Sequence, residues 1–182
     1  MGIRRRKYLS KRFWLCRAGA SAVEFAIVAP LFLALTFSVI EAGYFYFIEA
    51  AVDAANAKAA RLIRTGQAQN SSMTREAFFG EICKVVKLFG DCNTELTVDV
   101  QRFNSFAALA ADASQTICRD ADPNDVNNIP YDSGAARDIV RVRVCFLHKG
   151  VNPGLGLNLQ KAKGGDVKII STSIFRNEPF ES

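Results

Sequence analysis

Residues 25–48, FAIVAPLFLALTFSVIEAGYFYFI, form a run of 24 residues broken by one charge, Glu41. A helix of about 20 apolar residues crosses the hydrocarbon core of a bilayer, so this run is long enough to do so. What precedes it matters equally. Arg4, Arg5, Arg6, Lys7, Lys11, Arg12 and Arg17 fall within residues 1–19, which carry no acid. Basic residues on the N-terminal side and few just beyond the run predict an N-in, C-out orientation. Tyr44 and Tyr46 stand near the outer end, where amphipathic rings favour the headgroup level. A buried core helix would lack this charge asymmetry. A removable secretory signal has an apolar core of about 7–15 residues and then an A-x-A site. Here Ala55-Asn56-Ala57 lies well past a run already too long for that.

The charge distribution also excludes a partner class. The chain has a net charge of +5, but the seven basic residues of the leader leave 16 basic against 18 acidic residues in the remainder. That remainder has no excess positive charge to hold phosphates, and nucleic acid is not an expected partner.

Leader and apolar run meet at Arg17-Ala-Gly-Ala-Ser-Ala-Val-Glu-Phe25. A glycine closes the basic segment, and a glutamate follows five residues on as the apolar helix begins. This junction resembles the processing site of type IV prepilins, particularly the tight-adherence (Flp/Tad) branch. The resemblance implies cleavage by a prepilin peptidase between Gly19 and Ala20, with Glu24 and Phe25 completing the recognition sequence. It also implies that Glu24 pairs with the freed amine of Ala20 on a neighbouring subunit. A carboxylate at the edge of a bilayer is costly and normally has a partner. The plainer account is an acid favoured at the positive end of a helix. Residues 17–33, RAGASAVEFAIVAPLFL, are similar to the N-terminal signature of TadE-like proteins, minor pseudopilins of that pilus. The ending Arg176-Asn-Glu178-Pro179-Phe180 resembles the Arg-x-Glu-Pro-aromatic ending of the same family. Implied partners are the peptidase, other pilins or pseudopilins, the assembly machinery and inner-membrane lipid. The role implied is assembly of the pilus and surface attachment. Residues 70–165 carry no matching motif.

Within the span, Pro30 removes the hydrogen bond to the Ala26 carbonyl and is expected to kink the helix. Glu41, beside Gly43, either pairs with a partner subunit or reaches the outer interface. Three regions result: a basic cytoplasmic leader over 1–19, a transmembrane helix over 20–48 and a periplasmic pilin-like domain over 49–182.

The helical pattern continues through residues 49–64, EAAVDAANAKAARLIR, which are rich in helix formers. Val52, Ala55, Ala59 and Leu62 share a stripe suited to packing on a sheet, and Gly66 marks a stop. A second helix is expected from Thr74, as N-cap, to Gly90, with Phe79, Ile82, Val86 and Phe89 inward. Alternating apolar residues predict strands over 95–103, 138–147 and 167–176, with loops over 119–136 and 149–166. The fold class is α+β: a long N-terminal transmembrane helix running into a small head with a second helix and a three- to four-stranded antiparallel sheet.

Beyond Cys16 in the leader lie Cys83, Cys92, Cys118 and Cys145, an even four that suits disulfides in an oxidising compartment. They allow three pairings, of which Cys83–Cys92 with Cys118–Cys145 is favoured. Zinc would call for closer cysteine spacing, and the one histidine is His148, read as a surface residue at a strand end. Asp120-Ala-Asp-Pro-Asn-Asp125 opens like a calcium loop but has Asp125 where glycine belongs and Tyr131 where glutamate belongs. It reads as a solvated turn. No phosphate loop, zinc-helix motif or nucleophile elbow is present, so no metal, cofactor or catalytic residue is expected. The chain reads as a substrate of an enzyme and not as one. A different class of protein also fits: a permanently anchored single-pass envelope protein whose head binds a ligand or cell-wall component.

Overall fold

The computed structural model describes residues 19–149 and 165–180. The leader, including Cys16, and most of the 149–166 loop lie outside the described residues. Helix α1 is Ala20–Arg64, one unbroken helix of 45 residues that runs through Pro30, about 67 Å at 1.5 Å per residue. It has two environments. Its first half is not buried by any described residue: Phe25, Ile27, Leu31, Phe32, Leu35 and Phe37 are all exposed. The most apolar stretch of the helix has no part buried inside the molecule, and it is long enough to cross a membrane.

The second half belongs to the head. Ile48, Val52, Ala55, Ala59 and Ile63 are buried there, at spacings of three and four that make one stripe. The small alanines let α1 lie close on the sheet. Asn56, also fully buried, donates from Nδ2 to Ser171 Oγ at 2.9 Å, a polar tie in an otherwise apolar contact. Sequence periodicity places Leu62 in the stripe, but Ile63 is the buried residue and Leu62 only packs at its margin.

Four-residue helix α2, Gln67–Asn70, follows a sharp turn at Gly66, and α3 is Arg75–Val86. Thr74 caps α3, its side chain accepting from the Ala77 N–H. Phe78, Ile82 and Val86 are its buried ridge. Phe79 and Phe89 rest only partly buried against the core. The expected stripe began one residue late because it was extended to Phe89, three residues past the end of the helix. Turn helix α4, Cys92–Glu95, leads into the sheet: β1 Leu96–Phe103, β2 Ile139–His148 and β3 Val167–Arg176. Short helix α5, Phe106–Ala111, follows β1, and α6, Pro123–Asn127, interrupts the loop expected over 119–136.

The three strands are antiparallel in the order β1-β2-β3. Val140, Val142, Val144 and Phe146 of β2 face α1 and α3, together with Leu96, Val100 and Ile169. Full burial of such side chains contributes about 1.5–3 kcal/mol each. On the open edge of β1, the Val100 N–H donates to the Pro130 carbonyl and the Asp132 N–H to the Val100 carbonyl, at 3.1 and 2.9 Å. These bonds occupy groups that would otherwise invite another strand.

The opposite sheet face is covered too, by the irregular segment 112–118. Asp99 and Arg143 sit opposite each other in the ladder and form a buried ion pair, with Asp99 only 2% exposed. Arg143 Nη1 also donates to the Ser114 carbonyl at 2.7 Å. Arg141 pairs with Asp112 at 2.6 Å and lies over the Phe103 ring. The Ser114 hydroxyl and Arg141 hold the Asp112 carboxyl down to about 2. The disulfide Cys118–Cys145 fixes the covering segment to β2, and Cys83–Cys92 joins α3 to the turn before β1. In the calcium-like stretch, Asp122 caps α6 by accepting from the Asn124 N–H, and Asp120 pairs with Lys168 at 2.7 Å.

Removing one member of a buried pair strands the other charge. Asp99→Ala is therefore expected to cost about 3–5 kcal/mol in urea unfolding of the detergent-solubilised chain, and Asp99→Leu with Arg143→Met much less. Equal losses for the two variants would refute this account of the covered face.

Candidate functional site: the exposed helix start and its anchorage

Gly19 takes a right-handed helical conformation as the N-cap of α1 without any side-chain cap, and a Cβ placed there would meet nothing within 4 Å. Gly19 and the described residues 21–25 are all exposed. No acid stands in the first turn of α1; Glu24 is its fifth residue. The dipole's influence is confined to about the first turn, so it accounts poorly for Glu24. Glu24 is exposed and has no partner among the described residues. Phe25 beside it is 73% exposed. A carboxylate thus stands on bare apolar helix, one turn from the start.

From Ala20 to Ile40 the helix covers about 30 Å, matching the hydrocarbon thickness. Two hydroxyls deep in this stretch are satisfied locally: Thr36 donates to the Phe32 carbonyl at 2.9 Å and Ser38 to the Ala34 carbonyl at 2.8 Å. At Glu41 the surroundings change. That side chain is 9% exposed, buried within its own chain, while Gly43 stays on the open side. Little of Glu41 is left for a neighbouring subunit to reach.

The head grips α1 at both ends of their contact. At the end nearest the apolar span, His148 closes β2. Expected on the surface, it is instead 8% exposed. Its ring meets Tyr44 and Phe45 edge-on, each with centroids 5.6 Å away. The sequence signal was slight: a strand end reads as exposed unless the helix that covers it is known. At the far end, the Arg176–Phe180 segment locks onto the close of α1. The Glu178 N–H donates to the Arg64 carbonyl at 2.8 Å, and its carboxylate meets Arg64 Nε at 3.4 Å. Gly66, with φ +79°, lies under the Phe180 ring, and any Cβ there would overlap that ring. Asn177 donates from Nδ2 to the Ser133 and Ala135 carbonyls at 3.0 and 2.9 Å, and Arg176 to the Arg137 carbonyl at 2.8 Å. Pro179 is exposed between them. The C-terminal motif is therefore a latch, some 45 residues along the helix from Gly19, and the two motifs do not form one site.

Burial pushes the His148 ring below its usual value of 6.5, against the opposing pull of Glu95, Asp166 and a hydrogen bond with the Phe89 backbone. The folded chain thus prefers neutral His148. As pH falls below about 6.5 the unfolded chain takes up the proton first, so stability declines toward the lowered folded value. The urea midpoint is expected to be lower at pH 5 than at pH 7.5, with a smaller drop in His148→Gln. An identical drop in the variant would remove His148 as the cause.

The family model described as TadE-like protein matches residues 19–61. No curated protein and no solved structure matches the chain. The match starts at the open glycine, crosses the exposed span and ends on the head-bound half of α1. Over this helix the chain is similar to TadE-like proteins.

Proposed function

We propose that this chain is a minor pilin or pseudopilin that acts in assembly of tight-adherence (Flp) pili and so in surface attachment. Its role is structural, without catalysis. The carrying observation is Glu24, exposed and without a partner among the described residues, on an apolar helix that begins at Ala20. In lipid such a carboxylate calls for a counter-charge. Cleavage after Gly19 by a prepilin peptidase creates one, the Ala20 amine of a second subunit. The precursor waits in the inner membrane with its leader in the cytoplasm and its head in the periplasm. After cleavage, the bare span packs among the spans of other pilins, and Pro30 bends it to fit. The intrachain disulfides support an oxidising location for the head.

One observation favours the second reading, an uncleaved envelope protein with a ligand-binding head. A cleft of about 380 Å³ lies between α3 and β1, lined by Arg75, Phe79 and Arg119 among others. It is within the size range of small-ligand sites.

Mass spectrometry of the protein from wild-type cells separates the two. A mature N-terminus at Ala20 is expected, and an intact leader would refute the pilin reading. Glu24→Ala should leave membrane insertion unchanged and sharply reduce piliation.

A further inference from the structure

Chain order decides which end of the head faces the apolar span. Helix α3 begins shortly after the far end of α1 and runs back along it. Just past its end, the Phe89 ring meets the Phe47 ring edge-on, with centroids 5.7 Å apart. Phe47 is the last residue but one of the apolar run 25–48. The turn after α3 therefore stands level with the close of that run, at the same end of the head as His148. There it holds out Leu88, 76% exposed, the most exposed large apolar side chain among the described residues. Tyr46 and Phe47 are exposed at the same level. The Cys83–Cys92 disulfide closes around residues 84–91 and ties the turn on both sides, which keeps Leu88 from folding back into the core. The acids of the turn are occupied by its own backbone: Asp91 accepts from the Asn93 N–H and Glu95 from the Asp91 N–H, each at 3.0 Å. Lys84 pairs with Glu81, whereas Lys87, next to Leu88, is exposed and has no partner among the described residues.

We infer that this turn is a second lipid contact: Leu88 enters the surface of the bilayer that α1 spans, with the Lys87 ammonium among the headgroup phosphates. This rests on the membrane-spanning reading proposed above. Position selects lipid as the occupant. A bilayer that ends near Phe47 already surrounds that level, and the Phe47–Phe89 contact makes the turn continuous with the span it encloses. An apolar side chain held at such a boundary is drawn in by the transfer free energy that drives folding. A lysine beside it lays its stem along the apolar layer and keeps its charge at the phosphates. One lysine supplies little long-range attraction, so the contact is chiefly apolar and survives high salt. The consequence is orientational. A single span leaves the head free to lean in any direction, and a second contact at Leu88 sets it down on its α3 side.

Depth-dependent quenching tests this on the full chain in a Cys16→Ser background, with both disulfides intact. Leu88→Cys, Leu31→Cys and Ala77→Cys are each labelled with an environment-sensitive fluorophore. Leu31 lies in the span, and Ala77 is exposed at the opposite end of α3. Each is placed in nanodiscs of phosphatidylethanolamine and phosphatidylglycerol, one chain per disc, with and without lipids brominated along their acyl chains. The Leu88 label is expected to be blue-shifted and quenched severalfold more than the Ala77 label, though less than the Leu31 label, with no change in high salt. Quenching at Leu88 no greater than at Ala77, with Leu31 quenched, overturns the contact and leaves the span standing. A blue shift at Leu88 without quenching does the same, since protein and not lipid then covers the turn. Quenching at Leu88 that vanishes in high salt overturns the apolar contact. No quenching at Leu31 refutes the membrane span itself, and the inference with it.

Discussion

Everything in this structure follows from one helix that has to satisfy two solvents. A helix closes its backbone hydrogen bonds within itself, so it can pass from hydrocarbon to water without stranding polar groups. Ala20–Arg64 uses that freedom fully. Its first half shows apolar side chains on every side, and from Ser21 to Ile40 none is buried against the described part of the head. Beyond that point the pattern becomes one-sided, with a buried stripe from Ile48 to Ile63 and a charged face opposite. The head needs this second half. A three-stranded sheet with one short helix would leave much of its apolar face open, and α1 supplies the missing layer.

A layer borrowed from a helix that runs on beyond the head has to be held in place. His148 and its aromatic neighbours hold the near end. Asn56 and Ser171 hold the middle, and the Glu178–Phe180 latch over Gly66 holds the far end. The two disulfides act on the other elements, closing loops of small span that limit the freedom of the unfolded head. The grip leaves the apolar half and the charged face of α1 exposed.

Much of the architecture was legible because its signals are periodic. Alternation at Val140, Val142, Val144 and Phe146 placed β2 to within a residue or so, and the other strands fared alike. The helical stripes were right in kind and shifted by one residue at Leu62 and Phe79, since several apolar neighbours compete for each inward position. Harder to read were Asp99, Arg141 and Arg143. Charged residues at every second position of a strand normally face water. Here an aperiodic segment covers them, and only the folded chain reveals that cover. Gly19 and Glu24 were singled out by their pattern, and both are exposed in the structure. The latch residues were recognised by resemblance, but their contacts with Arg64 and Gly66 span over a hundred positions.

The division of α1 at Glu41 is the central claim, and spin-label accessibility in bilayers tests it most directly. Labels placed singly at Phe25, Leu31 and Phe37 should be accessible to oxygen and shielded from a water-soluble nickel reagent, whichever side of the helix they occupy. Labels at Asp53 and Lys58 should show the reverse. Nickel access at Leu31 or Phe37 equal to that at Asp53 would contradict the account.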